Sequence, residues 1–432
     1  MQNNSNRKPF YVAEIFLILI NAILLIPFFA IVFSVRFIKR MISSQRLNRI
    51  GNNVWIVIFI TIRVIGNTVL SILRFLKLIP IIEHFDKGNI KNILLIRTDR
   101  IGDFILSTPA IYAVRENFPN AKISLMVTTY ISELIIGDPN VDDIILIDRM
   151  CLKTVLKMAK QIRMKNFDLV AVLYPNIWAN LLAYLSRAPF RTGYDDKGSG
   201  FLLTKWSLHP RERGKLKHEV EYTLDILRFY GIDTKNKKLN VSVTEYGEKK
   251  AALFLQHHNI KESDIMINIH PGASKIYRRW NKERFAELAD KLLLYKNVKV
   301  VFTGDNSERS FINEIVLMMK NKPILAVGNT RITEIVSLIK RCSLYIGNFT
   351  GPMHIASVFN VPIIVILGSK HPADSPEIWA PGEGHIVIDK DVDCTYCIQD
   401  LCKDLKCMNN VTVDDIMDAV RKQLSKTNKA LK

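Results

Sequence analysis

Short apolar runs recur along residues 91–367, each followed by a stretch with helical spacing. That alternation limits the fold more than any other feature of the chain. Residues 91–97 (KNILLIR) follow a Gly-Asn turn, and their apolar centre reads as a buried parallel strand. Thr108-Pro109 then opens a helix toward Asn117, with proline in a first turn. Residues 122–127, 143–147 and 169–173 repeat the strand signal, and 152–164 read as a helix between the last two. A second series starts at Ile265. Strands 265–270, 298–302, 324–327, 344–346 and 363–367 alternate with helices 282–295, 311–319, 332–340 and 353–358. A helix over 412–422 closes the chain, with Thr412 and Asp415 at capping distance. Such alternation predicts an α/β fold with doubly wound parallel sheets. The polar stretch 187–248, broken by Gly and Pro, is read as holding a linker. Two Rossmann-like units result, 89–245 and 246–425, facing a central cleft suited to a nucleotide.

Composition narrows the function. Hydrophobic residues make up 48% of the 432, too many for a disordered chain. Six cysteines exclude a disulfide-built scaffold. Sixty Lys/Arg against 41 Asp/Glu leave +19, which calls for an anionic partner: membrane, phosphorylated substrate or nucleic acid. The placement of the charge favours membrane. Residues 1–91 hold twelve Lys/Arg and three acids, beside two apolar segments. Residues 15–35 are apolar except Asn21 and Ser34, and 21 residues of helix span about 30 Å, enough to cross a bilayer. Pro27 allows a kink or a re-entrant turn. No small-x-small cleavage site follows, so this is not a signal peptide. In 54–80, Arg63, Asn67, Ser71, Arg74 and Lys77 share one helical face, as in a helix lying in the membrane surface. A second crossing is the competing reading, at a cost of about 2.5–3.5 kcal/mol for Arg63 near the bilayer centre. Residues 1–88 are therefore expected to form a membrane-associated helical region, with the remainder in the cytoplasm. A nucleic-acid binder would interleave basic and aromatic residues on one surface, and none is expected here.

The chemistry is expected in three loops at strand carboxyl ends. The first is Thr98-Asp99-Arg100-Ile101-Gly102-Asp103. Gly102 permits a tight turn, and Asp103 stands just before the helix, where it can take a proton from a hydroxyl or act as a helix cap. The second is His270-Pro271-Gly272-Ala273-Ser274, followed by Lys275, Arg278 and Arg279. Its small residues let a phosphate or ribose approach the backbone, and guanidinium groups suit a diphosphate. The third runs from Gly347 to His354 and joins a strand to a helix. Thr350 and Gly351 fall in the first turn, where N–H groups and the helix dipole favour an anion. No Walker loop, G-x-G-x-x-G or H-E-x-x-H occurs. Asp389, Asp391 and Asp393 read as a solvated loop. Cys394 and Cys397 have the spacing of a zinc knuckle, but Cys402 and Cys407 do not repeat it, so zinc, structural thiols and a disulfide all remain open. Cys151 and Cys342 read as ordinary buried residues.

Three segments together carry a family resemblance: IRTDRIGDFILSTPA (96–110), HPGAS with RRW (270–280) and GNFTGPMHIA (347–356). In this order and spacing they resemble glycosyltransferase family 9, the ADP-heptose:lipopolysaccharide heptosyltransferases, over residues 90–422. The run ending in Cys407-Met408 is similar to a tail of many members. The resemblance implies a GT-B fold, with acceptor on the N-terminal unit and nucleotide sugar on the C-terminal one. It makes Asp103 the catalytic base and places Arg97, Arg100 and Gly102 on the acceptor side. Gly272, Ser274, Arg278, Arg279, Glu308, Thr350, Gly351 and His354 become the donor-binding residues, Glu308 on the nucleoside ribose. No cofactor and no metal are expected, because fixed cations face the diphosphate. The implied partners are a nucleotide-sugar donor such as ADP-heptose, a glycolipid acceptor and inner-membrane lipids. The implied location is the cytoplasmic side of a bacterial inner membrane. Two departures stand out. The family reads G-N-D-T-G-P where this chain has Phe349, which leaves open another donor sugar or a non-catalytic nucleotide- or glycolipid-binding relative. Arg278 stands for a phosphate-binding lysine, keeping the charge but changing its geometry.

Overall fold

The computed structural model describes residues 84–426 except 211–215, 329, 369–370, 372–373, 395–396, 398–401 and 403, together with 59, 61, 64, 66–68 and 431. The apolar segment 15–35 lies outside the described residues, as does most of 54–80. Among the described residues no helix is long and apolar enough to cross a membrane.

The chain builds two six-stranded sheets. The first contains β1 (Asn92–Ile96), β2 (Lys122–Val127), β3 (Asp143–Leu146), β4 (Leu169–Val172), β5 (Phe190–Tyr194) and β6 (Lys205–Ser207), in the order β3-β2-β1-β4-β5-β6. The second contains β7 (Ile265–His270), β8 (Val298–Asp305), β9 (Ile324–Gly328), β10 (Leu344–Asn348), β11 (Ile363–Ile366) and β12 (Ile386–Ile388), in the order β12-β11-β10-β7-β8-β9. In the second sheet all neighbours pair in parallel. Each sheet grows outward from its first strand on one side and then returns to grow on the other. That is the doubly wound order, and it opens a crevice at the strand carboxyl ends where the direction reverses. In the second sheet the reversal lies between β7 and β10, with His270 level with Gly347.

By compactness the chain divides into two units. The larger comprises Leu94–Arg149 and Pro210–Lys432; the smaller holds Met150–His209 with the chain up to Ile93. The larger unit contains the whole second sheet, whose β7 and β11 are buried throughout, as parallel strands covered on both faces must be. Helices Lys282–Leu293 and Val413–Lys426 cover one face with Leu288, Leu292, Ile416 and Val420. Trp280, 1% exposed, anchors this layer by donating its indole N–H to the Val411 carbonyl at 2.9 Å.

Three expectations need correction. The helix after β1 begins at Ile101, not at Thr108, so Pro109 lies inside it. Proline has no N–H for the Ile105 carbonyl, and the Thr108 hydroxyl donates to that carbonyl instead, at 2.7 Å. Asp103 is consequently the third residue of the helix rather than its forerunner, and Arg100 is the cap residue. The stretch 187–248, read as holding a linker, also holds β5, β6 and helix Glu219–Arg228, which were not expected. Gly193 and Arg191 interrupt the apolar signal of β5, and β6 is only three residues long. Finally, Cys151 is half-buried and caps helix Leu152–Met164 in a reciprocal pair with Thr154.

Candidate active site

Helix Ile101–Asn117 meets the start of helix Pro352–Val358 within the larger unit. The approach is close enough to require glycine on both sides. A Cβ on Gly102 would lie 2.8 Å from His354 Cδ2 and 3.1 Å from Gly351 Cα, and one on Gly351 would lie 3.1 Å from the Gly102 nitrogen. Beside this contact is a cavity of about 110 Å³ lined by Arg100, Asp103, Arg278, Phe349, Thr350 and Asp374, with Gly102, Gly351, Met353, His354 and Trp379 completing it. Two carboxylates, two guanidinium groups and two helix starts thus converge on one small space. Positive helix ends and arginines suit a phosphorylated ligand.

Asp103 is held from behind. Arg97 is 1% exposed and directs its guanidinium to Asp99 at 2.8 Å, Glu219 at 3.2 Å and Asp103 at 3.5 Å. Arg97 was expected on the acceptor side. It lies instead beneath the loop, because a buried guanidinium with three carboxylates around it is already surrounded by counter-charge. Burial lifts the Asp99 carboxyl to about 7, against the pull of Arg97 and assisted by Asp103 and Glu219. A carboxyl raised above its unfolded value of about 4 binds its proton more tightly in the folded chain. Its contribution to stability is full below that value and is lost as pH rises through about 7. Thermal melts of Asp99→Asn are expected to show a flatter decline between pH 4 and 7 than the wild type.

The second and third loops are tied together by a residue that the sequence did not single out. Asn348 is fully buried; its side chain accepts from the Trp280 N–H at 3.0 Å and donates to the Pro271 carbonyl at 2.7 Å. The signal was its place between Gly347 and Phe349, a short amide where the strand ends. Asn348→Ala is expected to cost about 1–3 kcal/mol by leaving both partners unpaired. Denaturant unfolding checks this, with weaker nucleotide binding as the accompanying effect.

Gly272 and Glu308 also come together: a side chain on Gly272 would run into the Glu308 carboxyl group. Glu308 accepts from the Asp305 N–H at 3.0 Å and stands 3.7 Å from His270 Nε2. Burial lowers the His270 pKa, with Glu308 opposing. His354 is 3% exposed, and burial, helped by His218, pushes it down to about 3. It is therefore a neutral imidazole near pH 7, and its Nδ1 has no hydrogen-bond partner among the described residues. Two expected donor residues lie elsewhere. Arg279 stacks on Phe311 at 5.0 Å and donates to the Ala273 carbonyl at 2.8 Å, bracing the loop rather than lining the cavity. Ser274 is exposed on the loop.

Of the cysteines, Cys394 and Cys402 are exposed and Cys342 is buried. Among the described residues no group of three or more His, Cys, Asp or Glu is arranged to hold a metal. Asp389, Asp391 and Asp393 are exposed, as expected of a solvated loop.

Comparison with known proteins agrees with this geometry. The pattern of glycosyltransferase family 9 (heptosyltransferase) matches residues 155–407. Lipopolysaccharide heptosyltransferase 3 of Escherichia coli is 26% identical over 298 residues, covering 66% of this chain and 85% of the relative. The crystal structure of a family 9 glycosyltransferase from Veillonella parvula superposes with a TM-score of 0.71 at 26% identity, over 80% of this chain and 99% of its own. The Escherichia coli ADP-heptose LPS heptosyltransferase II has the same fold, with a TM-score of 0.65 at 21% identity, over 78% and 99%. The family pattern spans more than half of the chain and solved relatives reproduce its two parallel sheets, so the protein belongs to glycosyltransferase family 9 and is a heptosyltransferase-like, GT-B glycosyltransferase.

Proposed function

We propose that this enzyme moves a heptose from ADP-heptose to a hydroxyl of a lipopolysaccharide-core or related glycolipid, with inversion at the anomeric carbon. The observation that carries the reading is the single cavity shared by Asp103 and the helix start at Thr350–His354. Asp103 takes the proton of the acceptor hydroxyl as that oxygen bonds to the anomeric carbon. The bond from that carbon to the diphosphate breaks, and ADP leaves with the electron pair. Arg278 and the helix start at Thr350–Gly351 meet the charge that grows on the diphosphate, and no resident metal takes part. Glu308, beside Gly272, holds the ribose. Residues 89–245 receive the acceptor and 246–425 the donor. The similar lipopolysaccharide heptosyltransferase 3 and ADP-heptose LPS heptosyltransferase II support the donor and acceptor classes. The basic, apolar region 1–88 supports attachment to the cytoplasmic face of a bacterial inner membrane.

Phe349 favours a second reading, in which the donor is another nucleotide sugar. Its ring, 6% exposed, lines the cavity where the family pattern has a carboxylate. Transfer from a panel of nucleotide sugars to bacterial glycolipid separates the two. Turnover with ADP-heptose above all other donors is expected. Turnover with a different donor alone selects the second reading, and turnover with none despite nucleotide binding makes the protein a non-catalytic relative.

A further inference from the structure

The excess positive charge is divided unevenly between the two compact units. Residues 1–93 and 150–209, the smaller unit, hold 21 Lys/Arg and six Asp/Glu, which is +15 of the +19. The 279 residues of the larger unit hold 39 and 35. The anionic partner that the net charge calls for therefore belongs to the smaller unit. Region 1–88 supplies part of that excess. Residues 150–209 add nine Lys/Arg against three acids.

One helix concentrates this second contribution. Helix Leu152–Met164 carries Lys153, Lys157, Lys160 and Arg163 and no acid. Val155, Ala159 and Ile162 are buried and hold it to the unit, and the Arg163 guanidinium donates to the Leu185 carbonyl at 3.4 Å. On the opposite face Lys153, Leu156, Lys157, Lys160, Gln161 and Met164 follow at alternating steps of three and one, and all six are exposed. Leu156 is 56% exposed and Met164 64%. A face turned only to water balances lysines with acids one turn away. Lysines interleaved with apolar side chains, with no carboxylate among them, complement a partner that is anionic at its surface and apolar beneath. The helix also ends where the membrane-associated region joins the fold. Asp168, four residues beyond Met164, accepts from the Lys91 N–H at 2.8 Å, and Phe190 donates its N–H to the Asp168 carbonyl at 3.1 Å. Phe85 packs edge-on against Phe190, with ring centroids 5.0 Å apart.

We infer that the exposed face of helix Leu152–Met164 lies on the anionic surface of a phospholipid bilayer, as a second contact beside region 1–88. Lys153, Lys157 and Lys160 meet the lipid phosphates, and Leu156 and Met164 enter the boundary between headgroups and acyl chains. A contact made by the folded unit itself fixes how that unit is oriented at the membrane, which attachment through 1–88 alone does not. The inference rests on the membrane reading proposed for region 1–88 and adds a site on the folded part of the chain.

The test uses the full-length protein with vesicles of phosphatidylcholine mixed with phosphatidylglycerol, and of phosphatidylcholine alone. Acetylation of lysines by a water-soluble reagent, read by mass spectrometry, is expected to slow about fivefold or more at Lys153, Lys157 and Lys160 on the mixed vesicles. Each lysine at an anionic surface favours binding by about fivefold. Replacing all three (Lys153→Gln, Lys157→Gln and Lys160→Gln) is therefore expected to weaken co-sedimentation with mixed vesicles by about tenfold or more, and with phosphatidylcholine alone by less than about threefold. These side chains are exposed, so the variant folds as the wild type does. Wild-type protein that sediments with mixed vesicles yet is acetylated at these lysines as fast as in solution would overturn the inference and leave attachment through 1–88 standing. A triple variant that binds mixed vesicles as tightly as wild type would do the same. Wild-type protein that sediments with neither vesicle removes the membrane reading, and this inference with it.

Discussion

Asp103→Asn is expected to lower the rate of sugar transfer by about a hundred- to ten-thousandfold while nucleotide-sugar affinity stays within about threefold of wild type. The substitution keeps the size and shape of the side chain but removes its ability to take a proton. Asp103 lies in the first turn of helix Ile101–Asn117, at the cavity, with Arg97 3.5 Å behind it. Asparagine fills the same place beside Arg97 but cannot accept the proton. Single-turnover kinetics beside titration of the donor separate the two effects. Loss of rate with binding retained places Asp103 in the chemical step. Equal loss of both would make it a binding residue, and an unchanged rate would move the base to another group.

The second large effect is structural. Arg97→Leu is expected to destabilise the larger unit by about 3–5 kcal/mol, because it leaves the buried Glu219 and the half-buried Asp99 without their shared cation. Glu219 is 6% exposed, and both it and Asp99 depend on the same guanidinium. Denaturant unfolding of the single variant measures the loss. Combining Arg97→Leu with Glu219→Gln and Asp99→Asn is expected to recover much of it, since three neutral groups no longer need a counter-ion. A single variant as stable as wild type would show that solvent, not Arg97, stabilises these carboxylates. Transfer is expected to fall in Arg97→Leu even at temperatures where it is folded, because Asp103 loses the group that orients it.

Five of the six strands of the second sheet were legible as short, mainly apolar runs between polar turns; β12, only three residues long, was not. Burial on both faces leaves no alternative composition, and β7 runs over the predicted residues 265–270. β5 and β6 were not legible, because Arg191 and Gly193 in one and the brevity of the other remove the signal. The helix after β1 was placed seven residues late because proline ordinarily marks a first turn. Only the folded helix shows the Thr108 hydroxyl serving the carbonyl that proline leaves unpaired.

The site divides in the same way. Asp103, Arg278, Thr350, Gly351 and His354 sit in three motifs whose order and spacing a linear reading can hold, and the structure brings them to one cavity. Asp374, Asn348 and the hub at Arg97 depend on pairings between residues 77, 96 and 122 positions apart. The sequence by itself determined the doubly wound class, the family and the loops from which the candidate site is built, because hydrophobic period and short motifs are local properties. The tertiary structure decided which charges are buried and which of them face the cavity. The free energy of a charge depends on the dielectric and counter-charges that folding brings around it, and neither is encoded in its neighbours along the chain.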